Sequence, residues 1–301
     1  MEDIIERFLT YDGRVSIICA RTTNLVQTAR DVHDLSPVVT AAFGRLLTIS
    51  SIMASEMKNK TDKLTIQLKG DGPIGTMLVT ANSLAEVKGY VTENVVDIPN
   101  IEDGKIDVGA AVGTNGYINV VKDIGLKEPY IGICPLVSGE IAQDFAEYFV
   151  KSEQRNTAVS LGVLVDKNGI KSAGGYIITP MPDATEEDIT KIEQAIFKAG
   201  AISKMLDKGM TLEEIANNIS GDDNVKLISN DITPKYFCDC SKDYMKSAMS
   251  SLPKEELQEI LKEDGKAELT CHFCNKKYEI SKEELEELVK AKEEQDSMNK
   301  I

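Results

Sequence analysis

Four of the six cysteines fall in two close pairs near the C-terminal end, Cys238-x-Cys240 and Cys271-x-x-Cys274, with 30 residues between the pairs. Zinc takes four soft ligands in a tetrahedron, and two pairs from opposite ends of a small module can supply them. A Cys-x-x-Cys turn lets two thiolates converge on one ion. In Cys-x-Cys on an extended segment both side chains leave the same side. One-residue spacing is uncommon in a purely structural zinc site, and four thiolates able to close into two neighbouring disulfides point to a site built to come apart. A permanent zinc ribbon is the competing reading.

The residues around the second pair favour metal over thioredoxin-type chemistry. Cys271-His272-Phe273-Cys274 lies between two strand-like segments, Ala267 to Thr270 and Lys277 to Ile280. That predicts a knuckle on a hairpin, with turn amides donating to sulfur, whereas a redox Cys-x-x-Cys opens a helix after a strand. His272 should point away from its flanking cysteines and is left out of the site. His33, in RDVHDLSP, reads as a surface residue at a polar helix end. With only two histidines, far apart in sequence, a Ser/His/Asp or Cys/His catalytic apparatus is not expected, and the chain is read as a non-enzyme. Cys19 and Cys134 stand singly in apolar runs, SIICA and IGICP, as buried, inert thiols. Gly70-x-Gly72-x-x-Gly75 fits a dinucleotide-binding pattern, but Thr76 to Thr80 continues as a strand where phosphate binding needs a helix N-terminus. A turn between strands is expected instead.

Composition narrows the classes further. The net charge is −15 in 301 residues, which argues against nucleic-acid or anionic-membrane partners. The N-terminus is acidic and lacks signal-peptide character. No stretch is read as approaching the ~18 apolar residues of a membrane span. The expected compartment is the cytoplasm, where clustered thiols serve metal or redox chemistry more often than structural disulfides.

The elements that must position these cysteines read as α+β. Tyr11 to Arg21 is an opening strand through the Asp12-Gly13 turn. Ser36 and Pro37 start an apolar core helix with Val39, Ala42, Phe43, Leu46 and Met53. Alternation follows at Leu64, Ile66 and Leu68, and again at Met77 and Val79. Asn115-Gly116 and Asn168-Gly169 are hairpin signals. A helix opening at Ser138 places Ile141, Phe145, Tyr148 and Phe149 on one face. After Thr179 the texture changes to amphipathic helices with little core of their own. The Thr185/Asp188 capping box leads into Ile189, Ile192, Ile196 and Phe197, with Gly200 as the stop; Thr211/Glu214 leads into Leu212, Ile215 and Ile219. Such helices must lean on a neighbour. In the cysteine module, helices are expected at 253–262 and, after a Ser281/Glu284 capping box, at 282–292, with an i,i+4 pair between Glu286 and Lys290. The expected organisation is an α+β domain at 1–179, a helical linker at 180–233, a zinc-binding module at 234–292 and a frayed polar tail at 293–301.

Along nearly its whole length the chain resembles the redox-regulated 33-kDa heat-shock chaperone family. The resemblance is carried by KGDGPIG at 69–75, KGY at 88–90, PYIGICPLVSGEIAQDFAEYFVKSEQ at 129–154, AGGYIITPMPDA at 173–184, FCDCS at 237–241 and CHFC at 271–274. It implies an ATP-independent holdase that is inactive while reduced and zinc-bound through Cys238, Cys240, Cys271 and Cys274. It implies that oxidation forms disulfides Cys238–Cys240 and Cys271–Cys274, that zinc leaves, and that unfolding proteins are then bound. It also implies a metastable linker and a homodimer in the oxidised form. Elementary energetics agree. A module of this size is marginal on its core alone, while structural zinc contributes an apparent ~10–16 kcal/mol in small zinc-finger peptides. A disulfide between residues two apart is strained and hence easily reduced again. Two other classes compete: a zinc-ribbon interaction module, which as a nucleic-acid binder would carry a basic patch, and a dithiol oxidoreductase, which would turn over disulfides.

Overall fold

The computed structural model describes residues 1–101, 105–166 and 169–298, with side chains as far as residue 293. The chain divides into two units, Met1–Phe237 and Cys238–Ile301.

In the first unit β1 (Ile4–Thr10) and β2 (Val15–Arg21) form an antiparallel hairpin across a tight turn at Tyr11–Gly13. The opening strand is therefore β1, seven residues earlier than expected; the charged Glu6 and Arg7 masked a strand that buries Ile5 on one face of the sheet and Phe8 on the other. Next come α1 (Thr23–His33), α2 (Pro37–Ser55), β3 (Lys63–Lys69), β4 (Thr76–Asn82) and β5 (Glu86–Val91). They are followed by α3 (Val108–Val112), β6 (Tyr117–Asp123), β7 (Tyr130–Pro135), α4 (Ala142–Glu153), β8 (Ala158–Asp166) and β9 (Gly169–Pro180). The helices α5 (Glu186–Ala199), α6 (Ile202–Asp207) and α7 (Leu212–Ser220) lead to β10 (Lys226–Ile232) and the short β11 (Lys235–Tyr236). Two sheets result, ordered β10-β1-β2-β9-β8 and β11-β5-β4-β3-β6-β7.

α2 organises the main core. Seventeen of its residues are buried, and Leu46, Leu47, Ile49 and Phe43 join one cluster with Ile18, Ala20 and Ile177 of the first sheet and Leu64, Ile66, Met77 and Val79 of the second. Its length of 19 residues and a mean hydropathy of 1.5 over an 18-residue stretch satisfy the size and composition of a membrane span, contrary to the sequence expectation, yet 94% of that stretch is buried within the fold. Ser36 precedes it as expected but does not cap it. Its hydroxyl exchanges hydrogen bonds with the backbone of Val96 instead.

Other expectations are met or corrected locally. The Gly70–Gly75 stretch is indeed a turn joining β3 to β4. Its glycines answer to packing: a Cβ on Gly70 would sit 1.9 Å from the Val112 carbonyl oxygen, and one on Gly72 2.4 Å from that of Ala111. Asn115-Gly116 is not a hairpin turn, since it joins α3 to β6; Gly116 is required because a Cβ would lie 1.9 Å from the Lys69 oxygen. β8 and β9 do pair antiparallel, with Asp166 opposite Gly169, and Asn168 between them lies outside the described residues. α4 begins at Ala142, not Ser138, because the Asp144 carboxylate takes the amides of Val137, Ser138, Gly139 and Ile141 and ties the preceding loop down. His33 is buried, not a surface residue: its Nε2 hydrogen-bonds the Tyr236 hydroxyl at 2.8 Å and its ring lies edge-on to Phe43.

The helical segment after Thr179 leans on the first sheet. Ile192, Ile202, Met205, Leu206, Leu212, Ile215 and Ile219 pack with Phe8, Val15, Ile17, Tyr176 and Ile178, the sheet face opposite α2. Both expected capping boxes form, at Thr185/Asp188 and Thr211/Glu214. Asp188 also receives a two-pronged contact from Arg14, with Nε–Oδ2 2.8 Å and Nη2–Oδ1 3.2 Å. Phe197, expected in the apolar stripe, points outward at 90% exposure. The segment then contributes β10 to the edge of the sheet, antiparallel to β1.

In the second unit, α8 (Lys242–Met249), α9 (Lys254–Glu263), the hairpin of β12 (Ala267–Thr270) and β13 (Lys277–Ile280), and α10 (Lys282–Met298) surround a small core of Met249, Leu257, Ile280, Leu285, Leu288 and Val289. The polar tail does not fray at Glu293, since α10 continues to Met298, and residues 299–301 lie outside the described ones. Glu286 pairs with Lys282 rather than Lys290. The neighbouring acids Glu284 and Glu287 reach Lys242 and Lys246 of α8.

Candidate metal centre

The hairpin places the second cysteine pair. β12 and β13 pair from Ala267↔Ile280 to Thr270↔Lys277, so residues 271–276 must reverse the chain. They do so with Cys271 at the hinge: its amide donates to the Lys276 oxygen at 3.0 Å, and its own carbonyl accepts from Cys274 and Asn275 at 3.3 and 2.8 Å. Asn275 takes the left-handed conformation, φ 56°, which Asn tolerates better than most residues. The first pair sits on an irregular segment just before α8, and Ser241 ends that segment by capping the helix through the Tyr244 amide.

All four sulfurs lie within 4.8 Å of one another. The Cys238 and Cys271 sulfurs are 3.8 Å apart, and those of Cys240 and Cys274 3.3 Å. A zinc–sulfur bond of about 2.3 Å sets the sulfurs of a tetrahedron about 3.8 Å apart. The donor set therefore fits a tetrahedral thiophilic ion in number, chemistry and spacing. Cys271 is buried and the other three half-buried, so oxidants in solvent can reach the cluster. Exposed His272 is not part of it, as expected.

The surroundings make the four thiols unequal. Burial pushes Cys238 and Cys274 up, against amide donors at Cys240 and Lys276 respectively. At Cys240 burial also raises the thiol, but the Tyr278 hydroxyl and the neighbouring sulfurs outweigh it and hold the group at about 7. The Tyr278 hydroxyl lies 3.1 Å from the Cys240 sulfur and 2.9 Å from its carbonyl oxygen. Tyr278 lies in the expected strand Lys277 to Ile280, but this contact was not foreseen from the sequence. The available signal was its place on a strand leaving the Cys-x-x-Cys turn, where alternation buries Tyr278 and Ile280 together. Cys19 and Cys134 are fully buried, far in sequence from these four, and burial pushes both thiols up.

The fold and the cluster define a protein with a two-sheet α+β unit and a small separate unit built around four convergent thiols. The family model described as Hsp33 protein matches residues 3–281, and the chain belongs to that family. A 33 kDa chaperonin of Clostridioides difficile (strain 630) is 46% identical over 290 residues, spanning 96% of this chain and 99% of that protein. Another, from Caldanaerobacter subterraneus subsp. tengcongensis, is 46% identical over 294 residues, spanning 97% of this chain and all of its own length. The crystal structure of the 33 kDa chaperonin (heat shock protein 33 homolog) from Thermotoga maritima superposes with a TM-score of 0.89 at 36% identity, covering 98% of this chain and 100% of that one.

Proposed function

We propose that this chain is a redox-regulated, ATP-independent holdase of the cytoplasm, not an enzyme. In the reduced state Cys238, Cys240, Cys271 and Cys274 hold one zinc as thiolates and the protein is inactive. Zinc bound there would supply coordinate bonds that tie the 238–240 segment to the hairpin turn, at an apparent ~10–16 kcal/mol in comparable small modules. Oxidation joins Cys238 to Cys240 and Cys271 to Cys274. Each disulfide forms as two thiolates give up two electrons, which with two protons taken from water reduce one hydrogen peroxide to two waters. The thiolates are then no longer ligands, and the small unit, whose core has six buried apolar residues among those described, loses the term that holds it. The helical segment at 180–233 loosens with it and unfolding clients are bound; the oxidised form can dimerise.

The observation that carries this reading is the convergence of four sulfurs within 4.8 Å in a half-buried, oxidant-accessible cluster. The chaperonin names of the relatives support the client-binding half of it. Elemental analysis and disulfide mapping before and after peroxide test it together. One zinc per reduced chain, lost as the two within-pair disulfides appear, is the expected result; zinc retained by the fully oxidised protein, or disulfides crossing between the pairs, overturns it.

A further inference from the structure

The free edge of β8 is the last strand position of its sheet: β8 pairs with β9 along its length, and no strand among the described residues joins it on the other side. Soluble proteins usually blunt such an edge with charges, proline or a bulge. β8 reads AVSLGVLVD, charged only at Asp166, and its one irregularity falls between Leu164 and Val165 near the end. The edge lies along a cavity of about 980 Å³, at the upper end of the ~300–1,000 Å³ typical of ligand sites.

Two helices flank it. α4 belongs to the cluster on the α2 face of the sheet and α6 to the cluster on the opposite face, so the cavity runs along the edge between them. Small side chains line it beside the strand, Ala142 and Ala146 from α4 and Ala201 and Ser203 at the start of α6, which leaves room for a polypeptide backbone. The charges are of one dominant sign. Arg45, Lys105 and Lys204 face a single carboxylate, Glu140, on a chain whose net charge is −15. Arg45 Nη1 is taken by Glu140, but its buried Nε has no hydrogen-bond partner.

We propose that this edge is a docking site for client polypeptide: an extended, non-native segment carrying a carboxylate adds to β8 as a further strand. The inference rests on the holdase reading and gives it a place. Main-chain hydrogen bonds to an open strand edge do not depend on sequence, which suits partners with no common motif. The carboxylate meets the Arg45 side of the groove, where a cationic lining on an acidic protein selects for it. α6 lies in the helical segment that packs on the sheet, so loosening of that segment widens the groove.

The test uses the full-length chain, reduced and oxidised, with an acetylated Thr/Val peptide as long as β8 and bearing a central aspartate. Binding should protect amides in 158–166 from exchange at least tenfold in the oxidised protein. N-methylation of alternate peptide residues, which removes donors along one edge, should weaken binding tenfold or more. The double substitution Lys105→Glu/Lys204→Glu, at two exposed positions, should weaken it about five- to tenfold at low salt. Binding without protection of 158–166, or binding indifferent to N-methylation, overturns the proposal. So does protection that grows with protein concentration in the absence of peptide, since the edge would then pair with a second copy. Suppression of client aggregation, measured on the same samples, separates the two readings: activity with an unprotected β8 leaves the holdase standing and removes only this site, whereas no activity in any state removes the holdase.

Discussion

Ile215→Ala probes the link between packing and activity most sharply. Ile215 is fully buried on α7, in the cluster where the helical segment meets Phe8, Ile17 and Tyr176 of the sheet. Truncating a buried Ile to Ala costs about 2–5 kcal/mol, from lost transfer energy and the cavity left behind. The main core around α2 does not include Ile215, so the loss falls on the docking of α5–α7. Local opening of that segment should therefore increase roughly 30- to 4,000-fold, at tenfold per ~1.4 kcal/mol. Hydrogen exchange on the reduced protein reads this directly, as faster exchange across 186–220 with the α2 amides unchanged. The variant should also need less oxidant and heat to bind client. Uniform acceleration across the unit would show that the helices and the α2 core open together, and unchanged exchange would show that the packing does not govern the segment; either refutes the reasoning. Phe197→Ser, at a 90% exposed position on α5, is the control and should stay within ±0.5 kcal/mol of the parent.

Other expectations follow from the same geometry. Cys271→Ser should sharply lower zinc affinity, because an alcohol is a poor substitute for a thiolate; elemental analysis of the reduced variant checks it. Serine at both Cys19 and Cys134 should leave peroxide-triggered zinc release intact, because burial shields both thiols; a chromogenic zinc chelator follows the release, and a lost response would implicate a further disulfide. Asp188 is held well below the usual carboxylate range, first by its hydrogen bonds from Arg14 and then by the Thr185 amide. Its contribution to docking α5 is thus fully present above the unfolded value of about 3.9 and is lost as pH falls toward the folded one. Protection in 186–199, relative to the intrinsic exchange rate at each pH, should fall below about pH 4 in the parent, while Asp188→Asn should open this helix more at neutral pH and flatten that acid dependence.

The cysteine cluster was legible because its signal is local: spacing, a hairpin between two alternating segments, and a lack of competing chemistry. α2 and the three capping boxes at Thr185, Thr211 and Ser281 were legible for the same reason, each being a pattern within a few residues. What escaped depends on partners distant in sequence. β10 is half solvated and mostly exposed, and only its register against β1 makes it a strand. His33 looks like a surface residue until Tyr236, two hundred residues on, closes over it. Asn115-Gly116 carries a hairpin signature, yet its glycine is demanded by the Lys69 carbonyl of another strand. The Tyr278 hydroxyl reaches Cys240 only because the hairpin and the 238–240 segment meet.

In the proposed switch, one chemical event at four thiols converts an inactive zinc protein into a chaperone. Zinc content and suppression of client aggregation, measured on one sample before and after peroxide at elevated temperature, address it most directly. The expected result is one zinc and no suppression before oxidation, and loss of zinc with onset of suppression after it, both reversed by reduction with zinc restored. Full suppression by the reduced, zinc-loaded protein would contradict it, as would complete oxidation and zinc loss with no gain of activity.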